Sequence, residues 1–471
     1  MSAAATAPAA ATATPTPHAL ASAKEAPGPR GWPLLGSVSE FQRDPLNLFF
    51  RSLREHGDVV KLKLLNTVFL VNHPDGVRHV LHDHHVNYKK NFVYDRLKSL
   101  AGNGLVTSDG DFWKRQRKLA QPAFHRQRIA GFARTMATQT ARMLERWRDV
   151  AASRRTFDAH AEMMRLTFTI MGEALFSLNL EDGAADMGRA LSDALEISQR
   201  RFTARFIPPK LLPTPENRRF AAAMKVLDRV VDEIIQTRRA APDAGNDLLG
   251  MLMAARDEET GEAMDNRQLR DEVMTMVLAG HETTANALTW ALYLLSKNPA
   301  AARRVQQEVR EVLQGRVPGM EDLPRLRYTQ QVIEESMRLY PPAWVIGREA
   351  LVDDVIMGFR VPRGSSVVLV PYTTHRHPEF WENPEGFDPE RFAPELSQRR
   401  HRYAYFPFAA GPRMCIGEGF AKMEMPIVLA MVAQRYALHL EPGFTPELDP
   451  VVTLRPRNGL QVTAKDVVAT V

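Results

Sequence analysis

The stretch "FPFAAGPRMCIGEGFA", Phe406 to Ala421, holds the only cysteine of the 471-residue chain. One thiol forms no internal disulfide, which fits a reducing cytoplasm. Four roles compete for Cys415: a small buried hydrophobe, a nucleophile with a nearby base, a zinc ligand, and an axial thiolate to haem iron. A lone cysteine is a poor start for a structural zinc cluster, and the closest histidine in sequence, His401, lies outside the stretch. The spacing discriminates further. Phe408, Gly411, Arg413, Cys415 and Gly417 spell F-x-x-G-x-R-x-C-x-G, ahead of a helix expected from Cys415 to about Arg435. Glycines let the backbone turn tightly enough for amides to face the sulfur. A helix N-terminus favours a thiolate, and the charge of Arg413 suits a haem propionate.

The stretch resembles the haem-binding loop of the cytochromes P-450, and other parts of the chain carry the same resemblance. "EESMRLYPP" sets Glu335 and Arg338 three apart on one helical face. Alone such a pair is a common surface feature worth ~0.2–0.5 kcal/mol, but apolar neighbours suggest burial, which requires full hydrogen bonding. "FDPERF" supplies Arg391; the resemblance implies a structural triad of Glu335, Arg338 and Arg391. "DFWKRQRKLAQPAF" places Trp113 and Arg117 one turn apart. By itself this reads equally as a basic amphipathic helix. The resemblance implies that both bind a haem propionate, as does Arg348. Lys114, Arg115 and Lys118 are then expected to face outward, as a solvated face or as a docking surface for an acidic electron carrier. The net charge of +6 and pI near 9.4 are compatible with such a partner. No interleaved basic and aromatic pattern points to nucleic acid.

"LAGHETTAN", Leu278 to Asn286, lies in a long apolar segment. A glycine inside a helix costs about 1 kcal/mol, so Gly280 calls for a ligand lying close to the backbone. Glu282 and Thr283 form an acid–alcohol pair at an expected local widening of the helix. His281-Glu282 does not open a zinc H-E-x-x-H site, because position 285 is Ala285. The resemblance implies a proton relay through Glu282 and Thr283 in oxygen chemistry, and argues against relatives that use peroxide or isomerise endoperoxides. The segment from Val273 to Ser296 has the length of a membrane span, yet His281 and Glu282 near its middle favour a core helix and no span.

The expected organisation is a disordered Ala/Thr/Pro-rich leader over 1–26, a single haem domain over 27–466 and a tail over 467–471. The pattern reads as mainly α with a small β portion, which the resemblance turns into a cytochrome P-450 fold: a helix-rich domain plus a small β-rich subdomain. The wording "AGHETT" and "LAGNGLVTS" is similar to soluble bacterial fatty-acid-hydroxylating members. By that resemblance haem b is the cofactor, O2 the oxidant, and Val106, Leu278, Ala279, Ala343, Trp344 and Val345 line a pocket for an apolar molecule of fatty-acid, terpenoid or steroid-like size. The loop Arg200 to Leu212 is expected to form a lid. No fused reductase follows the β-rich tail, so a separate ferredoxin or flavodoxin with its reductase is expected, serving a cytoplasmic monomer. A haem gas sensor and a cysteine hydrolase are the readings from other classes. The first has no evident use for the Glu282/Thr283 pair, and the second lacks a base near Cys415.

Overall fold

A computed structural model describes residues 16–31, 36–64, 66–176, 184–203, 209, 212–240, 247–257 and 260–467. The chain forms two compact units, each assembled from three separate segments. The first comprises Met1–Asn91, Val345–Pro384 and Arg400–Cys415; the second comprises Phe92–Trp344, Glu385–Arg399 and Ile416–Val471. The expected mainly helical fold with a small β portion is what the chain adopts.

The first unit is built on a five-stranded sheet, in the order Val59–Lys63, Thr67–Val71, Ser366–Leu369, Ile346–Ala350 and Tyr88–Lys89. The first two strands are the antiparallel hairpin that alternation predicts, with Val59 opposite Val71. Ser366–Leu369 then joins parallel to the second strand, a pairing between stretches far apart in sequence. One face of the sheet buries Val59, Phe69, Val71, Ile346, Val367 and Leu369 against Val77, Tyr88 and Phe406. Each large apolar side chain buried in this way contributes roughly 1.5–3 kcal/mol. Helix Pro45–His56 starts where expected: the Asp44 carboxylate accepts the Asn47 amide at 3.0 Å, and Gly57 at φ 89° ends the helix.

The leader boundary is corrected. Residues 16–26 belong to the folded unit: Pro17–Ser22 is a short helix, the Lys24 amide donates to Gly358 at 2.9 Å, and Ala26 is buried. Backbone pairing to the turn at Gly358 supplies the order that the Ala/Thr/Pro composition does not suggest.

In the second unit the central element is helix Glu282–Lys297, buried at nearly every position. It packs against helices Ala159–Phe176, Arg327–Leu339 and Glu418–Arg435. Trp290 stacks on Tyr340 with ring centres 4.3 Å apart and donates its indole N–H to the Leu454 carbonyl at 3.0 Å. Among the described residues no helix is long and apolar enough to cross a membrane. Most of the expected lid, Arg200 to Leu212, lies outside the described residues.

Candidate functional site

The cysteine loop belongs to the first unit and is shaped by two left-handed residues, Ala409 at φ 59° and Gly411 at φ 69°. A Cβ on Gly411 would lie 1.8 Å from the Leu81 carbonyl oxygen, so only glycine fits there. The Cys415 amide donates to the Phe408 carbonyl at 2.9 Å, closing the loop, and Cys415 is left exposed. Arg413 is half-buried and donates to the Tyr88 carbonyl. The expected helix start at Cys415 is corrected to Glu418, with Gly417 at the cap. The Cys415 amide is committed to Phe408, so this residue belongs to the loop and precedes the helix.

Arg348 lies on strand Ile346–Ala350, also in the first unit, and is only 4% exposed. Its guanidinium donates to the Gly347 carbonyl at 2.8 Å, and no carboxylate pairs with it among the described residues. An uncompensated buried cation costs several kcal/mol. An anion such as a haem propionate is therefore a fitting partner.

In the second unit, helix Gly110–Ala120 buries Trp113 and half-buries Arg117 one turn later. Between them Gln116 is fully buried, with both polar atoms of its amide lacking a hydrogen-bond partner among the described residues. Such an orphaned amide also suits a polar group supplied from outside the chain. The outward basic face is only partly as expected. Lys114 and Lys118 are exposed, whereas Arg115 is half-buried and pairs with Asp257 at 3.4 Å and Glu262 at 3.3 Å. Two acids from a loop some 140–150 positions on turn it inward, which helix periodicity could not reveal.

The long apolar segment is two helices, Asn266–Gly280 and Glu282–Lys297, broken at His281. Between Asp271 and Leu292 every residue is buried except Leu278, Ala279, Gly280 and Thr283. This narrow window is the one stretch of an otherwise buried element that is open. A Cβ on Gly280 would make only an ordinary contact with Met171, at 3.5 Å. The Thr283 hydroxyl donates back across the break to the Ala279 carbonyl at 2.7 Å. Glu282 is buried and turned another way: its carboxylate accepts the Thr453 hydroxyl at 2.8 Å. Asn286 donates to Thr453 at 3.0 Å and meets His160 at 3.0 Å. Burial holds the His281 and His160 imidazoles below the usual range. The acid and the alcohol are thus neighbours in sequence with different partners, and Thr453, Asn286 and His160 went unrecognised in the sequence because nothing local links them to Glu282.

Glu335, Arg338 and Arg391 do come together. Arg338 donates to both Glu335 oxygens, at 2.7 and 2.8 Å, and to the Gly386 carbonyl at 2.9 Å. Arg391 approaches Glu335 at 3.5 Å, and the Asp388 amide donates to the same carboxylate at 2.9 Å. Bidentate geometry with the remaining groups satisfied is what makes a fully buried pair tolerable.

Val106 and Ala343 are half-buried in the second unit, and Val345 half-buried in the first. The loop bearing Val106 is pinned by acids that sequence reasoning missed: Asp271 accepts the Asn103 amide at 2.7 Å and Glu272 the Leu105 amide at 3.1 Å. Trp344 is 3% exposed, and its indole N–H donates to the Val451 carbonyl at 2.9 Å.

The family model described as Cytochrome P450 matches residues 26–463. The chain is 39% identical over 439 residues to cyclooctatin synthase of Streptomyces melanosporofaciens, covering 93% of each chain. It is 36% identical to cyclooctat-9-en-7-ol 5-monooxygenase of the same organism, covering 88% of this chain and 90% of that one. The crystal structure of the cytochrome P450DA heme domain superposes with a TM-score of 0.87 at 26% identity, covering 95% of this chain and 98% of that one.

Proposed function

Because the chain belongs to the cytochrome P450 family, and so is a monooxygenase that carries haem b and uses O2 and electrons from a redox partner on an apolar molecule, we propose the residues that do this work and the substrate they serve. Cys415 would hold the haem iron through its sulfur, from a loop that includes Phe408 and Arg413, with Gly417 capping the helix that follows. Arg348, Trp113 and Arg117 hold the propionates. The observation that carries this reading is the exposed Cys415 at the end of a loop closed on Phe408; the buried Arg348, without a carboxylate partner among the described residues, supports it. Glu335, Arg338 and Arg391 are structural.

Held by Cys415, haem would supply dioxygen activation. The residues of the chain position the substrate and hold protons. Leu278 and Ala279, with Val106, Ala343 and Val345, offer apolar contact to a substrate. Thr283 holds its proton at Oγ1, shared with the Ala279 carbonyl, where it would be available to the oxygen chemistry. Glu282 keeps its carboxylate on Thr453 and must release that contact to recharge Thr283.

Among fatty acids, terpenoids and steroid-like molecules we favour a terpenoid, because two similar proteins are named for cyclooctatin and for the oxidation of cyclooctat-9-en-7-ol. A ferredoxin or flavodoxin with its reductase supplies electrons to a cytoplasmic monomer. The deciding measurement is the spectrum of the reduced protein under carbon monoxide. A strongly red-shifted Soret band that is lost in Cys415→Ser supports the ligand assignment, and an unchanged band in that variant overturns it. Thr283→Ala should consume electrons without forming product, and unchanged coupling would remove Thr283 from the relay.

A further inference from the structure

"RHVLHDHHVN", Arg78 to Asn87, carries four of the chain's 14 histidines within seven positions. None of them serves the chemistry above. Residues His79–Asp83 form a single π-turn, in which the His84 amide donates to the His79 carbonyl five residues back at 2.8 Å. On an α-helix, side chains five apart diverge by about 140° around the axis. The wider turn instead brings His79 and His84 into register, with ring centres 4.0 Å apart and planes within 13°. Turns of this kind are rare and recur at functional sites.

A third group meets them. Asp354, only 1% exposed at the start of strand Asp354–Ile356, places Oδ2 at 2.9 Å from His79 Nε2. One ligand atom from each of His79, His84 and Asp354 lies within 4.8 Å of the other two. A tetrahedral ion with bonds of about 2.0–2.2 Å spaces its ligand atoms about 3.4 Å apart. The His79–Asp354 edge is already of that order. His84, stacked on His79, has no hydrogen-bond partner for its ring among the described residues, so no existing bond opposes its approach to an ion.

The carboxylate is held as metal-binding carboxylates are. Asp354 Oδ2 accepts the Tyr88 hydroxyl at 2.7 Å and the Asn87 amide at 3.3 Å, and Oδ1 accepts the Val355 amide at 2.7 Å. The other two histidines turn elsewhere: His82 to Asp83 at 2.9 Å and His85 to the His82 carbonyl at 2.8 Å.

We infer that His79, His84 and Asp354 form a second metal site, for a borderline divalent ion of the zinc class, with a fourth position open to water. Two imidazoles and one carboxylate select zinc, cobalt or nickel over calcium and magnesium. The ion would tie the π-turn to the strand at Asp354. That turn supplies the Leu81 carbonyl against which Gly411 packs, and Tyr88 accepts from Arg413, so occupancy braces the support of the cysteine loop.

The test uses full-length, tag-free, haem-loaded protein dialysed against Zn2+, with bound zinc measured by elemental analysis and thermal unfolding followed in parallel. One equivalent of zinc is expected, with a midpoint that rises with zinc concentration as binding to the folded state requires. His84→Asn should bind at least about a hundred-fold more weakly, since loss of a mere supporting partner already costs 10–100-fold, and should show no zinc-dependent rise. The double variant His82→Asn/His85→Asn should bind like the parent protein. An unaltered carbon monoxide spectrum in His84→Asn shows that the variant is folded. Absence of bound zinc, undiminished binding by His84→Asn, or loss of binding in the double variant instead would each overturn the site.

Discussion

Ala409 sits at φ 59°, two positions before Gly411 at 69° in the loop that presents Cys415. An alanine there bears a steric cost of about 1–2 kcal/mol, which glycine removes against about 0.5–1 kcal/mol of extra chain entropy. Ala409→Gly should therefore stabilise the protein by roughly 0.5–1 kcal/mol, read as a higher denaturant midpoint with an unchanged slope. Arg348 allows a test in which the sign of the effect is informative. It is a buried cation with no carboxylate partner among the described residues. Arg348→Met should leave the haem-free protein as stable as before or more so, because it deletes a desolvated charge. The loaded protein should release haem about 10–100-fold faster, the value of a lost charged hydrogen bond. The rate is read by transfer to an excess of a tighter haem acceptor; equal rates would move the propionate assignment elsewhere. The tight loop that carries Arg413 and Cys415 was legible because its motif is contiguous. The isolation of Arg348 was not, since a missing counter-charge is a property of the fold.

At the scale of elements, the break at His281 decides where the polar groups of the long helix go. A disturbance of the helix was legible from Gly280 and the run of polar residues after it, though it is a break at His281 and not the expected widening. The destination of the Glu282 carboxylate was not, because Thr453 lies 171 positions away in the tail. Arg115 was misplaced for the same reason, its acids being supplied by a loop that periodicity does not see. Thr453→Val is nearly isosteric and removes one donor from a buried carboxylate. We expect a loss of about 1–3 kcal/mol in stability, together with a change in the ratio of product to electrons consumed while Thr283 is intact. A stability loss with unchanged coupling would make Thr453 a structural partner alone.

Over the whole molecule, the fold class was legible from periodicity and from one loop, but the two units were not. Each draws on three stretches of chain, and no composition shift marks their borders at Asn91, Trp344, Pro384, Arg399 and Cys415. What spans such a molecule is its stability, and one buried acid gives that stability a pH dependence. Glu424, on helix Glu418–Arg435, is 1% exposed and its Oε1 has no hydrogen-bond partner among the described residues. Burial holds its carboxyl well above the usual carboxylate range. The folded chain thus keeps a proton that the unfolded chain releases above about pH 4.3. The resulting contribution is complete below that value and is lost as pH rises towards the folded value, at about 1.4 kcal/mol per unit. Glu424→Gln cannot ionise, so its stability relative to the parent protein should climb with that slope from about pH 4.3 upward. Urea midpoints of both proteins from pH 5 to 8 decide it: a difference independent of pH would mean that Glu424 is ionised in the folded state, with a partner strong enough to outweigh its burial.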